Sequence, residues 1–273
     1  MEAAAPSPQA DGVNDASAVP SHSMLGMRLD YLDVATFVRL FVARAAGPGS
    51  AYACVPDVHQ TVMCHDRESH RAIVNGADFV MSDSTVLQTA RALRHDVPRI
   101  GTALGMRLML AICEEAARRG IAIAVVGGRD DAALNALRAA LLERFPDLRI
   151  AYAWSPPFRP LAGNEETAML GGIASSGARV VFFGIGCPKQ EEWMARYKGR
   201  IEGAMIGVGA AFDTLSGAVP TAPAWVHRAG LEWAVRLARE PRRLWSRYMH
   251  AAPRFVWLLA LDWLRSPRAA AEP

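Results

Sequence analysis

Residues 180–193, VVFFGIGCPKQEEW, join an apolar run to a turn that crowds glycine, lysine, glutamine and glutamate together. Gly184-x-Gly186 opens like a dinucleotide-binding turn, whose fingerprint puts a third glycine at position 189. Lys189 stands there instead, after Cys187 and Pro188. Pro188 suits the first turn of a helix, where its missing N–H costs nothing. Lys189 beside a helix N-terminus is electrostatically unfavourable unless an anion sits there, and a diphosphate supplies one. Gln190 offers both a donor and an acceptor, which suits a uracil or a sugar hydroxyl. Glu191 and Glu192 either accept from ribose or sugar hydroxyls or serve as first-turn acids favoured by the helix dipole.

Two further turns have the same character: Gly127-Gly128 after IAIAVV, and Gly207-x-Gly209 after GAMI. One glycine pair after a strand is weak evidence, because tight turns need glycine anyway. Three such turns on one parallel sheet line the same edge. Backbone amides there approach a pyrophosphate closely, with helix N-termini behind them.

The elements that must position these turns are legible from periodicity. YLDVATFVRLFVARAA has helical spacing and ends at GPGS. AYACVPDV is a short strand broken at Pro56, HQTVMCHDRESHRAIVNGA one helix, DFVMSDS a strand, and TVLQTARALR and GMRLMLAICEEAARRG are helices. From residue 121 onward strands and helices alternate strictly. Strands apolar on both faces, alternating with helices, imply an α/β fold: a mainly parallel, Rossmann-like sheet with helices on both sides. Ligands of such sheets sit beyond the carboxyl ends of the strands.

Outside this core the composition shifts. Residues 1–26 are small, Pro- and Ser-containing and polar, and read as a disordered tail with no secretory h-region. No run approaches the length of a membrane span. Cys54, Cys64, Cys113 and Cys187 are scattered without a C-x-x-C pair, which argues against zinc and points to buried free thiols in a reducing compartment. The net charge of +3 hides an asymmetry: Ala224 to Arg268 carries nine arginines against Glu232, Glu240 and Asp262, so the rest of the chain is net acidic. That segment also holds five of the seven tryptophans. Arginine and tryptophan at helical spacing, without spanning length or a nucleic-acid motif, fit a helix lying on an anionic membrane surface; some of these tryptophans are ordinary core.

GIGCPKQEEW, then GVGAAFDTLSG, then Ala222, Pro223 and Trp225, then GLEWAVRLAREPRRLWSRY closely resemble the WecG/TagA/CpsF glycosyltransferase family. The resemblance covers about residues 30 to 255 and is most specific in the second half. It implies an inverting transfer of a sugar from a UDP-sugar to a polyprenyl-diphosphate-linked saccharide, in exopolysaccharide or cell-envelope glycan synthesis. The site of action would be peripheral, at the inner face of the cytoplasmic membrane. Such a transfer needs a base for the acceptor hydroxyl and a hold on the leaving diphosphate. The base that the resemblance implies is Asp83 in VMSDSTV; on the residues alone, the N-cap of the helix that follows is the favoured reading of Asp83.

The donor contacts it implies are Asp57, Gly127, Gly128, Gly186, Lys189, Gln190, Glu191 and Gly209, with Arg236 and Arg243 reaching from the C-terminal segment. The chain lacks Asp-x-Asp, so neither a metal nor another cofactor is expected. Three positions depart from the family's pattern. Val55-Pro56-Asp57 stands where Thr-x-Asn is usual, with Asp57 a rival base; Ser84 replaces a glycine; and Gly105-Met106-Arg107 replaces G-x-D. The implied division is a tail to 26, a catalytic α/β domain over 27–221, an Arg/Trp-rich helical appendage over 222–268 and a short tail over 269–273. Homo-oligomers are compatible with this; nucleic acid is not an expected partner. A non-catalytic UDP-sugar-binding scaffold and a Rossmann-type oxidoreductase are the rival readings, and Lys189 argues against the second.

Overall fold

Alternating β and α segments place six parallel strands in one sheet, seen in a computed structural model that describes residues 19–82, 84–100, 105–219, 232–239 and 241–265. The strands are β3 (Ser50–Cys54), β4 (Phe79–Val80), β5 (Ile123–Gly127), β6 (Ile150–Trp154), β7 (Val180–Gly184) and β8 (Gly203–Gly207). Their order across the sheet is β4-β3-β8-β7-β5-β6. An antiparallel hairpin, β1 (Ser21–Met24) and β2 (Met27–Asp30), precedes them. It begins inside the stretch expected to be a disordered tail. Met24, Met27 and Leu29 are buried, so this short stretch carries enough apolar surface to dock.

Every inner strand buries both faces, and successive side chains feed two separate cores. Ala51, Ala53, Val125, Phe182 and Ile206 point to one; Tyr52, Cys54, Val126, Phe183 and Met205 point to the other. The helices follow the direction in which the chain steps. The β4-to-β5 and β5-to-β6 connections step one way, and their helices α5 (Gly105–Arg118) and α6 (Asp131–Arg144) cover the first core. The connections through α2 (Val58–Asp66), α3 (Glu68–Asn75), α7 (Gly163–Ser176) and α8 (Lys189–Tyr197) step the other way and cover the second. Opposite faces for opposite steps are what uniformly right-handed crossovers produce. α1 (Val34–Ala46), capped by Asp33 on the Thr36 N–H at 2.8 Å, closes the first face; α4 (Thr85–His95), which precedes α5 in the β4-to-β5 connection, packs instead on the second.

Residues 58–75 form two helices rather than the single one expected. Arg67 is extended, at φ −126° and ψ 106°, and divides them. On one straight helix Cys64 and Val74, ten residues apart, would point roughly 80° away from each other. The break lets both reach the second core.

Beyond β8 come α9 (Ala211–Leu215), α10 (Glu232–Arg239) and α11 (Pro241–Arg265). α11 lies along α2 and buries Ala251, Phe255 and Leu258. Arg254 Nε meets Asp66 at 2.9 Å and Arg94 Nε meets Asp262 at 3.0 Å, so the helix is tied to both α2 and α4. Its opposite side leaves Trp245, Met249, Val256, Trp257, Trp263 and Leu264 exposed. Among the described residues, no helix is long and apolar enough to cross a membrane.

Candidate functional site

β5 leaves the sheet toward β6 and its neighbour β7 leaves toward β8, so the chain parts in opposite directions between them. A crevice at such a switch point, outside the carboxyl ends of the strands, is where open α/β sheets bind ligands. The turns on its two sides are Gly127-Gly128 and Gly184-x-Gly186. Gly127 pairs with Gly184 in register, and a Cβ built on Gly127 would stand 2.7 Å from the Gly184 carbonyl. With its φ of +147°, only glycine fits there. Gly128, Gly186 and Gly209 likewise have positive φ. Behind the turns stand the N-termini of α6, capped by Asp130 on the Ala133 N–H at 2.8 Å, and of α8.

The PKQEE segment divides its side chains between two directions. Lys189 opens α8 and lays its ammonium 5.0 Å from the centre of the Trp193 ring, one turn further along the helix. Glu192 is exposed, whereas Gln190 and Glu191 turn inward, and Glu191 has no exposed surface. Gln190 Nε2 donates to Glu191 Oε1 at 2.9 Å, and its Oε1 accepts from the Gly209 N–H at 3.2 Å. Gly207 makes room for this: a Cβ there would lie 2.6 Å from Gln190 Nε2. Gln60 Nε2 completes the cluster by donating to Glu191 Oε1 at 2.9 Å. Burial pushes the Glu191 carboxyl up and neighbouring Asp57 adds to the rise, against hydrogen bonds from Gln190, its own backbone and Gln60.

Asp57 ends the β3 turn as the N-cap of α2, accepting from the Gln60 N–H at 2.9 Å. Asp83 lies outside the described residues; the described neighbours on both sides of it are tied down. Met81 N–H donates to the Cys54 carbonyl at 2.9 Å, joining the end of β4 to the end of β3. Ser82 Oγ accepts from the Ser84 N–H at 3.1 Å, and Ser84 Oγ caps α4 on the Leu87 N–H at 3.3 Å. The cap role that the sequence leaves open for Asp83 is therefore filled by Ser84, the residue that replaces the family's glycine. The side chains of Arg236 on α10 and Arg243 on α11 also lie outside the described residues.

Sequence reasoning missed Gln60, whose partner Glu191 is 131 residues away and leaves no local signal. It also missed Arg129 and Asp213, which pair at 3.1 Å and tie the β5 turn to α9. Among the described residues no group of three or more His, Cys, Asp or Glu is placed to hold a metal ion.

This edge, with its glycine turns, helix N-termini and the PKQEE clamp, lies wholly within residues 22–269, which match the family model described as Glycosyl transferase WecG/TagA/CpsF family. The chain belongs to that family. As a WecG/TagA/CpsF glycosyltransferase it serves cell-surface glycan biosynthesis, taking in general a sugar-nucleotide donor and a lipid-linked acceptor.

Proposed function

We propose that this WecG/TagA/CpsF glycosyltransferase moves a sugar, with inversion, from a UDP-sugar to a polyprenyl-diphosphate-linked saccharide. The switch-point crevice carries the reading: two glycine turns and two helix N-termini converge there and suit a diphosphate. Gly127, Gly128, Gly186 and Gly209 line that edge, and in this reading Lys189 at the start of α8 and Arg236 and Arg243 of the C-terminal helices supply cations to the diphosphate. Asp83, which follows β4 in the chain, takes the proton of the acceptor hydroxyl as that oxygen attacks the anomeric carbon. The bond from that carbon to the diphosphate oxygen breaks on the opposite side, and UDP leaves with the electron pair. Backbone amides and cations hold the leaving charge, so the reaction as proposed uses no metal.

The exposed Trp and Val stripe of α11 supports docking on an anionic lipid surface at the inner face of the cytoplasmic membrane. That placement brings the crevice to a lipid-bound acceptor. The experiment is a donor screen: detergent-purified protein, synthetic polyprenyl-diphosphate mono- and disaccharides, a set of UDP-sugars, with and without EDTA, and UDP release recorded. Acceptor-dependent release with one donor, unaffected by EDTA, is the expected result. UDP binding without release for any pair would favour a scaffold, and loss of release in EDTA would overturn the metal-free mechanism.

A further inference from the structure

Three side chains at the carboxyl edge of the sheet are not used in the transfer as described. Gln60 Nε2 and Gln190 Nε2 both donate to one oxygen of Glu191, each at 2.9 Å. Two acceptors are left over: among the described residues, the buried Glu191 Oε2 and Gln60 Oε1 have no hydrogen-bond partner. An ionised carboxylate and an amide oxygen are both acceptors only, so neither can satisfy the other. One proton on Glu191 Oε2 changes that balance. A carboxylic acid and a primary amide pair reciprocally, amide N–H to acid C=O and acid O–H to amide C=O. The first of these bonds is present between Gln60 and Glu191, and the two orphaned oxygens are the partners of the second.

We propose that Glu191 works as a carboxylic acid, paired with the Gln60 amide, and that this pair is a positioning device for the donor crevice. It holds the Gln190 amide in one orientation; Gln190 then keeps the Gly209 N–H and with it the turn after β8. The clamp ties together the ends of β3, β8 and β7, consecutive neighbours in the sheet, the last of which borders the crevice. Glu191 touches no substrate and acts through Gln190. Its surroundings favour the neutral form. Its side chain is fully buried, and three acids face it: Asp57 and Cys64 on the α2 segment and Cys54 on β3. The raised carboxyl gives the sign of the pH dependence. Its contribution to stability is full below the ordinary glutamate value of 4.5 and is lost as pH rises through the folded value.

The link to donor binding rests on the UDP-sugar reading above; the acid–amide pair does not. Wild type, Glu191→Gln and Glu191→Ala would be compared from about pH 5.5 to 9, by urea unfolding midpoint and by calorimetric titration with UDP. Glutamine reproduces the acid's donors and acceptors and does not titrate. The wild-type midpoint should therefore fall with rising pH relative to Glu191→Gln. At neutral pH, Glu191→Gln should bind UDP within about threefold of wild type, and Glu191→Ala about tenfold or more weakly. Parallel pH profiles for wild type and Glu191→Gln, or a Glu191→Gln as impaired as Glu191→Ala, would overturn the proposal. If wild type binds no UDP, the donor reading fails, and the pH difference still decides the acid–amide pair. Should Glu191→Ala not fold, Gln60→Met removes the amide half and carries the same expectation.

Discussion

Gly127 and Gly184 face each other at the ends of β5 and β7 with no room for a methyl group between them. Because the obstructing atoms are backbone, they cannot rotate away. Gly127→Ala should cost about 2–4 kcal/mol in urea unfolding, through this contact and the strain of a positive φ. Gly186→Ala is the control, since its Cβ would meet nothing within 4 Å and only its φ of +82° is strained. It should cost about 1 kcal/mol. A Gly127→Ala protein as stable as Gly186→Ala would mean that the two strand ends separate more easily than their register implies.

Asp83→Asn should lower turnover by about 10²- to 10⁴-fold while leaving UDP affinity close to wild type, because a general base is needed for the chemical step and not for donor binding. Near-normal turnover would move the base to Asp57. The present role of Asp57 is the N-cap of α2, so Asp57→Asn should keep the cap and most of the stability.

Arg91 on α4 has no exposed surface, and among the described residues none of its three guanidinium nitrogens has a hydrogen-bond partner. The face of the Tyr31 ring stands 4.6 Å from it. Burial pulls the guanidinium below its ordinary value. Removing a buried, unsatisfied ion in favour of an apolar side chain of similar length is commonly stabilising. Arg91→Met should therefore raise stability by about 1–3 kcal/mol in urea or thermal unfolding. A loss of stability would show that the guanidinium has a partner in solution.

The two sides of α11 should answer differently to substitution. Phe255, 2% exposed, packs into the second core, so Phe255→Ala should cost about 3–5 kcal/mol. Trp257 and Val256, 63% and 66% exposed, face away from it. The pair Val256→Glu and Trp257→Glu should leave the unfolding midpoint nearly unchanged and weaken sedimentation with anionic vesicles by about tenfold or more. Unchanged vesicle binding would remove the membrane role of this face.

The sequence by itself determined the parallel sheet, because both-face apolar strands alternating with helices have few other ways to bury their surface. It also placed the glycine turns at strand ends, since positive φ and tight turns demand that residue locally. Its helix over 58–75 was one too few, because the periodicity of Cys64 and Val74 says nothing of which core each must reach. In the Arg- and Trp-rich segment beyond 222 it is Phe255 that packs into the second core; such a helix does not announce which of its aromatics is covered.

The tertiary structure decided the rest. Strand order puts the β5 and β7 turns on either side of the switch point, which no local pattern encodes. Glu191 reads from its position as a first-turn acid or a sugar acceptor. The fold turns it inward onto Gln60, 131 residues earlier, and Gln190 is spent on Gly209. Residue type sets what a side chain can donate or accept; only the side-by-side placement of β3, β8 and β7 sets which partner is within 3 Å when water is excluded.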